Sequence, residues 1–190
     1  MSVKCISDQH GVGLVEVMVA LLLLAVAVLG FSAMQMTAIK ATDESLMRTR
    51  SLAIMRGGAE TMRTNPSGIS AFKAALNGSS DSVNVDGKTI TKSSCITSAS
   101  SAPTAASNCT INQLATRDAL LLKSYASAND INIGMVPNGC PGTSGNQELQ
   151  CFVASWGDTT VELSDTEAKA CAKTDGSYNN GAECFIMEAY

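Results

Sequence analysis

An apolar segment near the N-terminus constrains the fold more than any other feature of this 190-residue chain. No polar side chain interrupts residues 17–31, and apolar residues continue, with one Ser and one Gln, to Met36. A helix of about 20 such residues is long enough to span the ~30 Å hydrocarbon core of a bilayer. One carboxylate, that of Glu16, stands directly before the run. We therefore predict a membrane helix over residues 12–36 with an acid near its beginning.

The residues before the apolar run, MSVKCISDQHG, are short and polar. A secretory signal peptide carries a small-residue cleavage site after its apolar core, whereas here FSAMQMTAIKATDESL continues as a predicted helix. Any cleavage is therefore expected before the run, so that the run stays on the protein. Cys5 also precedes the run, which disfavours a lipoprotein. Lys4 is offset by Asp8, so the positive-inside signal is weak.

This arrangement resembles the class III leader of type IV prepilins and pseudopilins. That leader is short, hydrophilic and ends in Gly, and the apolar helix after it carries Glu at its fifth position. Gly11 matches the residue before the cut, Val12 stands where Phe or Met is usual, and Glu16 is the fifth residue. The resemblance implies that a prepilin peptidase removes residues 1–11 and N-methylates Val12.

Glu16 has two interpretations. A charge costs roughly 2.5–3.5 kcal/mol at the centre of a membrane helix and less near its end. The helix dipole favours an acid in the first turn. When helices pack side by side, the carboxylate can pair with a free N-terminal amine and fix the axial register, as a buried polar group does in a coiled coil. Alternatively, Glu16 is an interfacial acid that reaches water and has no specific partner.

Residues 37–65 are predicted to continue the helix as an amphipathic half, which ends at Asn65-Pro66 because the residue before a proline avoids helical geometry. The adjacent Gly57 and Gly58 are compatible with a bend or with close packing against a sheet, and we favour the packing. Two neighbouring apolar rows define the face expected to be buried. The first row contains Met47, Ile54, Gly58 and Met62, and the second contains Leu46, Ala53 and Gly57.

Cysteine usage favours an oxidising compartment, because an even set follows the membrane segment and no Cys-x-x-Cys spacing occurs. Free buried thiols in a cytosolic protein are the alternative. Six cysteines allow 15 connectivities, and we expect neighbours to pair because each such pair closes a short, turn-rich loop. The expected pairs are Cys95 with Cys109, Cys140 with Cys151, and Cys171 with Cys184.

Residues 66–190 are predicted to form an α+β head, in which the long helix packs on a small antiparallel sheet with disulfide-closed loops. VDGK at 85–88 is a hairpin-like turn signal between strand residues. INQLATRDALLLKSYASAND is predicted to be helical, with Leu114, Leu121 and either Tyr125 or Leu120 on its apolar face. Strands are expected in LQCFVASWGDTTVEL, with Phe152, Ala154 and Trp156 on one face and Cys151, Val153 and Ser155 on the other, and in CFIMEAY.

RSLAIMRGGAETMRTNPSGISAF resembles the segment after the membrane helix in PilV-type minor pilins. The cysteine pair, LATRDALLLKSY and FVASWGDTTVE follow in the order seen there. The resemblance implies a subunit that helps start a type IV pilus and stays near its tip. It implies an inner-membrane protein of a Gram-negative bacterium, with a periplasmic head that later becomes extracellular. The implied partners are the major pilin, other minor pilins, the prepilin peptidase, inner-membrane lipid and a tip adhesin.

Other functions find less support in the residues. His10 is the only histidine and lies in the predicted leader, so a Ser-His or Cys-His site is not expected in the mature chain. Neither a cofactor nor a metal is expected, since the calcium-like oxygens of DGSYNNGAE depart from EF-hand spacing. A net charge of −4 argues against nucleic-acid binding. A pseudopilin of a type II secretion or competence filament, and an adhesive or ligand-binding tip subunit, remain alternatives.

Overall fold

The computed structural model describes residues 13–95, 109–137, 139–141, 143 and 149–189. The first helix, α1, begins at Leu14 and ends at Thr64, directly before Asn65-Pro66 as predicted. The chain divides within this helix into two compact units, Met1–Ser45 and Leu46–Tyr190.

In the first unit, the described residues form helix almost from their beginning, and the helix continues through Gly30. Three hydroxyl groups in this part donate to the carbonyl four residues earlier: Ser32 to Val28 at 2.9 Å, Thr37 to Ala33 at 3.1 Å, and Thr42 to Ala38 at 2.9 Å. These hydroxyls therefore need no water as a partner, which suits an apolar environment.

The second unit is an α+β fold. Among the described residues, α1 is followed by a 3₁₀ turn at Pro66–Gly68 and nine further elements. These are α2 Ile69–Asn77, β1 Ser82–Val85, β2 Lys88–Thr91, α3 Ile111–Ser127, β3 Asn132–Met135, β4 Cys151–Ser155, β5 Thr160–Leu163, β6 Ala170–Ala172 and β7 Cys184–Glu188.

The central sheet is antiparallel and has the order β3-β4-β7. Its middle strand, β4, is buried on both faces, and the predicted alternation of its side chains holds. Phe152 and Ala154 contribute to a core shared with the helices, whereas Cys151 and Val153 contribute to a second core beneath the C-terminal loops. The predicted antiparallel sheet is confirmed, but the parallel pair β5-β6 was not predicted.

The buried face of α1 in this unit includes the first predicted row, through Ile54, Gly58 and Met62. The second predicted row was wrong, because its residues are exposed and the residues flanking the first row on its other side are buried instead. The exposed row is Leu46, Ala53 and Gly57, and the buried flank is Ser51, Met55 and Ala59. The preferred interpretation of the glycine pair is confirmed for Gly58. A Cβ there would lie 3.0 Å from Phe152 Cζ, whereas one at Gly57 would meet nothing within 4 Å.

Helix α3 begins with a capping box, in which Thr110 Oγ1 accepts from the Gln113 amide at 3.3 Å and Gln113 Oε1 accepts from the Thr110 amide at 3.1 Å. Of its predicted apolar face, Leu120 is buried and Leu114 is half-buried, but the other two residues are not buried. Leu121 and Tyr125 are 52% and 61% exposed. Smaller side chains face the core instead, namely Ala115, Thr116, Ala119 and Ala126.

The hairpin signal is confirmed, since β1 and β2 pair with Val85 opposite Lys88. Asp86 and Gly87 both have positive φ, at 52° and 76°, as a two-residue turn of this twist requires. The hairpin is connected to α3 by a 2.6 Å hydrogen bond that Thr110 Oγ1 donates to Asp86 Oδ2.

Candidate functional site

The N-terminal turn of α1 places Glu16 where an acid is favoured. The Glu16 amide donates to the Gly13 carbonyl at 3.0 Å, which closes the first helical turn. The carboxylate is therefore within reach of the positive end of the helix dipole. Glu16 is exposed, and among the described residues no side chain hydrogen-bonds to it. Gly11 and Val12, the predicted cleavage site, lie outside the described residues, as do Cys5 and His10.

Over residues 17–31, the surface of α1 is apolar on every side. The helix contains an 18-residue window with a mean hydropathy of 2.8, none of which is buried, and it is long and apolar enough to cross a membrane. Leu14, Leu22 and Leu29 are each more than 60% exposed, and Met36 is 63% exposed. An apolar surface of this size requires lipid or other apolar helices around it.

On one face of this helix, the Glu16 side chain lies beside apolar side chains. Glu16, Val17, Ala20, Leu21 and Leu24 line a shallow depression along the helix. Ala20 follows Glu16 by one turn, so its small side chain leaves room for another helix to approach the carboxylate. Sequence reasoning did not single out Ala20, although a small residue four positions after the acid was a visible signal. This face can hold an acid against a cationic group of a neighbouring helix.

The head carries three disulfides. They join Cys95 to Cys109, Cys140 to Cys151, and Cys171 to Cys184, which are the neighbour pairs named from the sequence. The second and third pairs belong to the core beneath the C-terminal loops. The second joins the loop at Cys140 to β4, and the third joins β6 to β7. The loop between Cys95 and Cys109, residues 96–108, lies outside the described residues.

The calcium-like loop is organised by its own hydrogen bonds. Asp175 Oδ1 accepts from the Ser177 hydroxyl at 2.6 Å and from the Ser177 amide at 2.8 Å, and these bonds lower the pKa of Asp175. Asn179 uses its amide to donate to the Ala170 carbonyl at 2.8 Å. Within the described ranges, no three His, Cys, Asp or Glu side chains are grouped as metal ligands. The loop is therefore explained by turn chemistry.

A second exposed apolar surface lies on α3. Ile111 is 53% exposed and joins the exposed Leu121 and Tyr125 on the solvent side of this helix. The sequence prediction assigned the latter two to the core and did not single out Ile111. The signal was present, because apolar residues recur along α3 at helical spacing.

Comparisons with known families match two adjoining parts of the chain. Residues 6–32 match the family model described as the prokaryotic N-terminal methylation motif. Residues 33–120 match the family model described as type IV pilin Tt1218. No curated protein and no solved structure matches the chain. The first match covers the predicted cleavage site and Glu16, and the second covers the rest of α1, the hairpin and the first part of α3.

Proposed function

Because this chain is a type IV pilin-like protein, we propose that it is a minor pilin of the PilV type, which helps to initiate type IV pilus assembly and is incorporated at or near the pilus tip. The two family matches support the more general role of a pilin or pseudopilin. The structural role expected of such a subunit requires no catalytic site.

The observation that carries the proposal is the exposed apolar surface of α1 with Glu16 in its first turn. After cleavage behind Gly11, Val12 supplies an N-terminal amine, which the peptidase methylates. Glu16 pairs with the amine of a neighbouring subunit, and the apolar surfaces pack side by side. Because a misplaced carboxylate would be costly in this environment, the pairing fixes the axial register of the helices.

The proposed partners follow from this surface. Before assembly, residues 12–36 are held in inner-membrane lipid, and the prepilin peptidase acts on residues 1–11. During assembly, the helices of the major pilin and other minor pilins replace the lipid. The head, residues 66–190, lies in the periplasm and then on the extracellular pilus, where a tip adhesin is a further partner. Residues 37–65 connect the two parts.

The PilV assignment is supported by the resemblance of RSLAIMRGGAETMRTNPSGISAF and by the size of the head with its three disulfides. The disulfides suit an oxidising compartment. A secretion or competence pseudopilin would share the N-terminal chemistry, and an adhesive subunit would share the head. The position of the protein in a filament distinguishes these functions.

The proposal is tested in cells by replacing Glu16 with Gln, which keeps the shape of the side chain and removes the charge. We expect the variant to be cleaved and to remain in the membrane, but to be lost from sheared pili, with fewer pili on the cells. Glu60→Gln is the matched control, since it removes an exposed acid of the same helix whose ion pair with Arg63 is worth little. Equal recovery of the Glu16→Gln and wild-type proteins in pili would contradict the proposed role of the carboxylate.

The place at the tip is tested by immunogold labelling of a tagged chain. Label at one end of each pilus is expected. Label along the whole shaft would contradict a tip subunit, and label only on a secretion filament would support the pseudopilin alternative.

A further inference from the structure

Two surface rows of the unit Leu46–Tyr190 fall at the spacing of helix–helix contacts. The α3 row consists of Ile111, Leu114, Asp118, Leu121 and Tyr125, at steps of three, four, three and four residues. The α1 row consists of Leu46, Arg50, Ala53 and Gly57, at steps of four, three and four. Such alternation is the pattern of a seam that packs against another helix.

Most members of both rows are exposed, whereas Leu114 and Asp118 of the α3 row are half-buried. The sequence predicts most of the apolar members to be buried. Ile111, Leu121 and Tyr125 are each more than half exposed, and Leu46 is 45% exposed. Ala53 and Gly57 are also exposed. Apolar residues grouped on the surface at helical spacing mark an interaction site better than isolated ones do.

The rows are complementary in size. The α3 row carries large side chains, whereas the apolar residues of the α1 row become smaller from Leu46 through Ala53 to Gly57. A Cβ at Gly57 would meet nothing within 4 Å, so this position accepts a large side chain from outside. Packing large residues into the space beside small ones allows two helices to approach closely.

The rows are also complementary in charge. Each contains one charged residue, Arg50 in the α1 row and Asp118 in the α3 row. Arg50 has no ion pair with any residue that the structure describes. Asp118 binds the neighbouring Arg117 through Oδ1, and Oδ2 has no hydrogen-bond partner within the same described ranges. The Asp118 side chain is 19% exposed, and Oδ2 is its remaining acceptor for a guanidinium of another molecule.

The directions of the helices decide whether the contact is parallel or antiparallel. Within one head, Asn65 at the end of α1 donates to the Ile111 carbonyl at the start of α3, at 3.0 Å. Earlier in α1, the backbone of Gly58 lies against Leu122, later in α3. The two helices therefore run in opposite directions. When copies are related by translation without rotation, α3 of one copy can face α1 of the next. These two helices then also run in opposite directions.

We infer that the α3 row of one copy docks on the α1 row of a second copy of this chain. Asp118 then lies opposite Arg50, and Ile111 lies over Gly57. Leu114 lies over Ala53. Since the two rows consist of different residues, the contact is head-to-tail and can repeat. The inference goes beyond the proposed place at the tip, because it depends on neither tip position nor the PilV type.

Cysteine cross-linking of the full chain in membranes tests the contact without requiring a pilus. Two differently tagged copies are co-expressed, one with Gly57→Cys and one with Ile111→Cys, both with Cys5→Ser to remove the free thiol of any unprocessed chain. Mild oxidation is expected to give an adduct carrying both tags, about tenfold above the control, because the contact raises the local thiol concentration. The control pair is Arg56→Cys with Asn112→Cys, which are exposed on the same helices beside the rows.

A second arm reverses the charges. Arg50→Glu in the first copy is expected to reduce the adduct, and Asp118→Lys in the other copy is expected to restore it. Unchanged mobility without reductant shows that each variant retains its native disulfides. An adduct no stronger than the control would overturn the inference. A Gly57→Cys adduct that forms more with Tyr125→Cys than with Ile111→Cys would also overturn it, because that pairing requires parallel helices. Cross-linking of either cysteine only to a different protein would do the same.

Discussion

The side-chain amide of Asn77 hydrogen-bonds both backbone groups of Met135. Its Oδ1 accepts from the Met135 amide at 2.8 Å, and its Nδ2 donates to the Met135 carbonyl at 2.8 Å. Asn77 is the last residue of α2, and Met135 is the last residue of β3. The amide therefore pairs with the outer side of β3 as a neighbouring strand would. It joins the helical layer to the sheet and satisfies backbone groups at one end of the edge strand β3.

Replacement of Asn77 by Asp is expected to destabilise the head by about 1–3 kcal/mol. A carboxylate can still accept from the Met135 amide, but it cannot donate to the carbonyl and would instead repel it. The measurement is the free energy of unfolding of the full chain in detergent, from denaturant titration. Asn84→Asp, at an exposed position of β1, is the control and is expected to have little effect. Equal losses in the two variants would contradict this role of Asn77.

Alanine at Gly57 and at Gly58 is expected to have opposite effects. At Gly57 the new methyl group meets nothing within 4 Å, so the higher helix propensity of Ala should stabilise by about 0.5–1 kcal/mol. At Gly58 the methyl group would lie 2.7 Å from Leu122 Cδ2 and 3.0 Å from Phe152 Cζ. We expect a net loss of about 1–2 kcal/mol from this overpacking. Thermal unfolding of the two variants checks the difference, and stabilisation by both would show that the core is looser than described.

The disulfides should differ in their accessibility to reductant. Cys171 is fully buried and Cys184 is 8% exposed, whereas Cys95 and Cys109 are half-buried. Lys88 Nζ lies 3.8 Å from Cys109 Sγ, where its charge favours a thiolate leaving group. Under mild reduction of the folded protein, alkylation followed by peptide mass spectrometry should therefore detect labelled Cys95 and Cys109 first. Earlier labelling of Cys171 and Cys184 would contradict the described burial.

The hydrogen bonds from Ser177 lower the pKa of Asp175 below its ordinary value, the side-chain bond contributing most. A carboxyl with a lower pKa in the folded state stabilises that state above its unfolded pKa, and this contribution is lost as the pH falls through the folded pKa. Ser177→Ala should therefore raise the pKa of Asp175 towards its ordinary value, as measured by NMR titration. Thr174→Ala is the control, because Thr174 bonds Asp165 instead. No change in the Asp175 pKa on losing Ser177 would refute the assigned cause.

Strong local signals predicted their elements correctly. Asn65-Pro66 marks the end of α1, and Asp86-Gly87 marks the hairpin, because each acts through the backbone of a few adjacent residues. The alternation along β4 was also readable. Its two faces lie in two different cores. Apolar residues on both faces of a strand are the sequence pattern of a strand buried on both sides.

The errors arose where tertiary packing selects between apolar faces of one helix. In α3, Ala115 and Ala119 face the core because α2 approaches closely, and the bulkier Leu121 and Tyr125 are left outside. A prediction based on side-chain size alone therefore assigned the wrong face of α3 to the core. The parallel pairing of β5 with β6 was not readable either, since β6 has only three residues, Ala170–Ala172. For the candidate site, Glu16 was identified by its position beside the apolar run. The apolar residues of α3 were visible in the sequence, but their exposure required the structure.

A processed, pilin-like subunit with an oxidised head has a characteristic intact mass. The protein is purified from membranes without reductant and measured by mass spectrometry. We predict a chain that begins at Val12, carries one N-methyl group, and lacks the six hydrogens removed by three disulfides. A chain that still carries residues 1–11 and has free thiols would contradict the account and leave Glu16 as an acid in an ordinary membrane anchor.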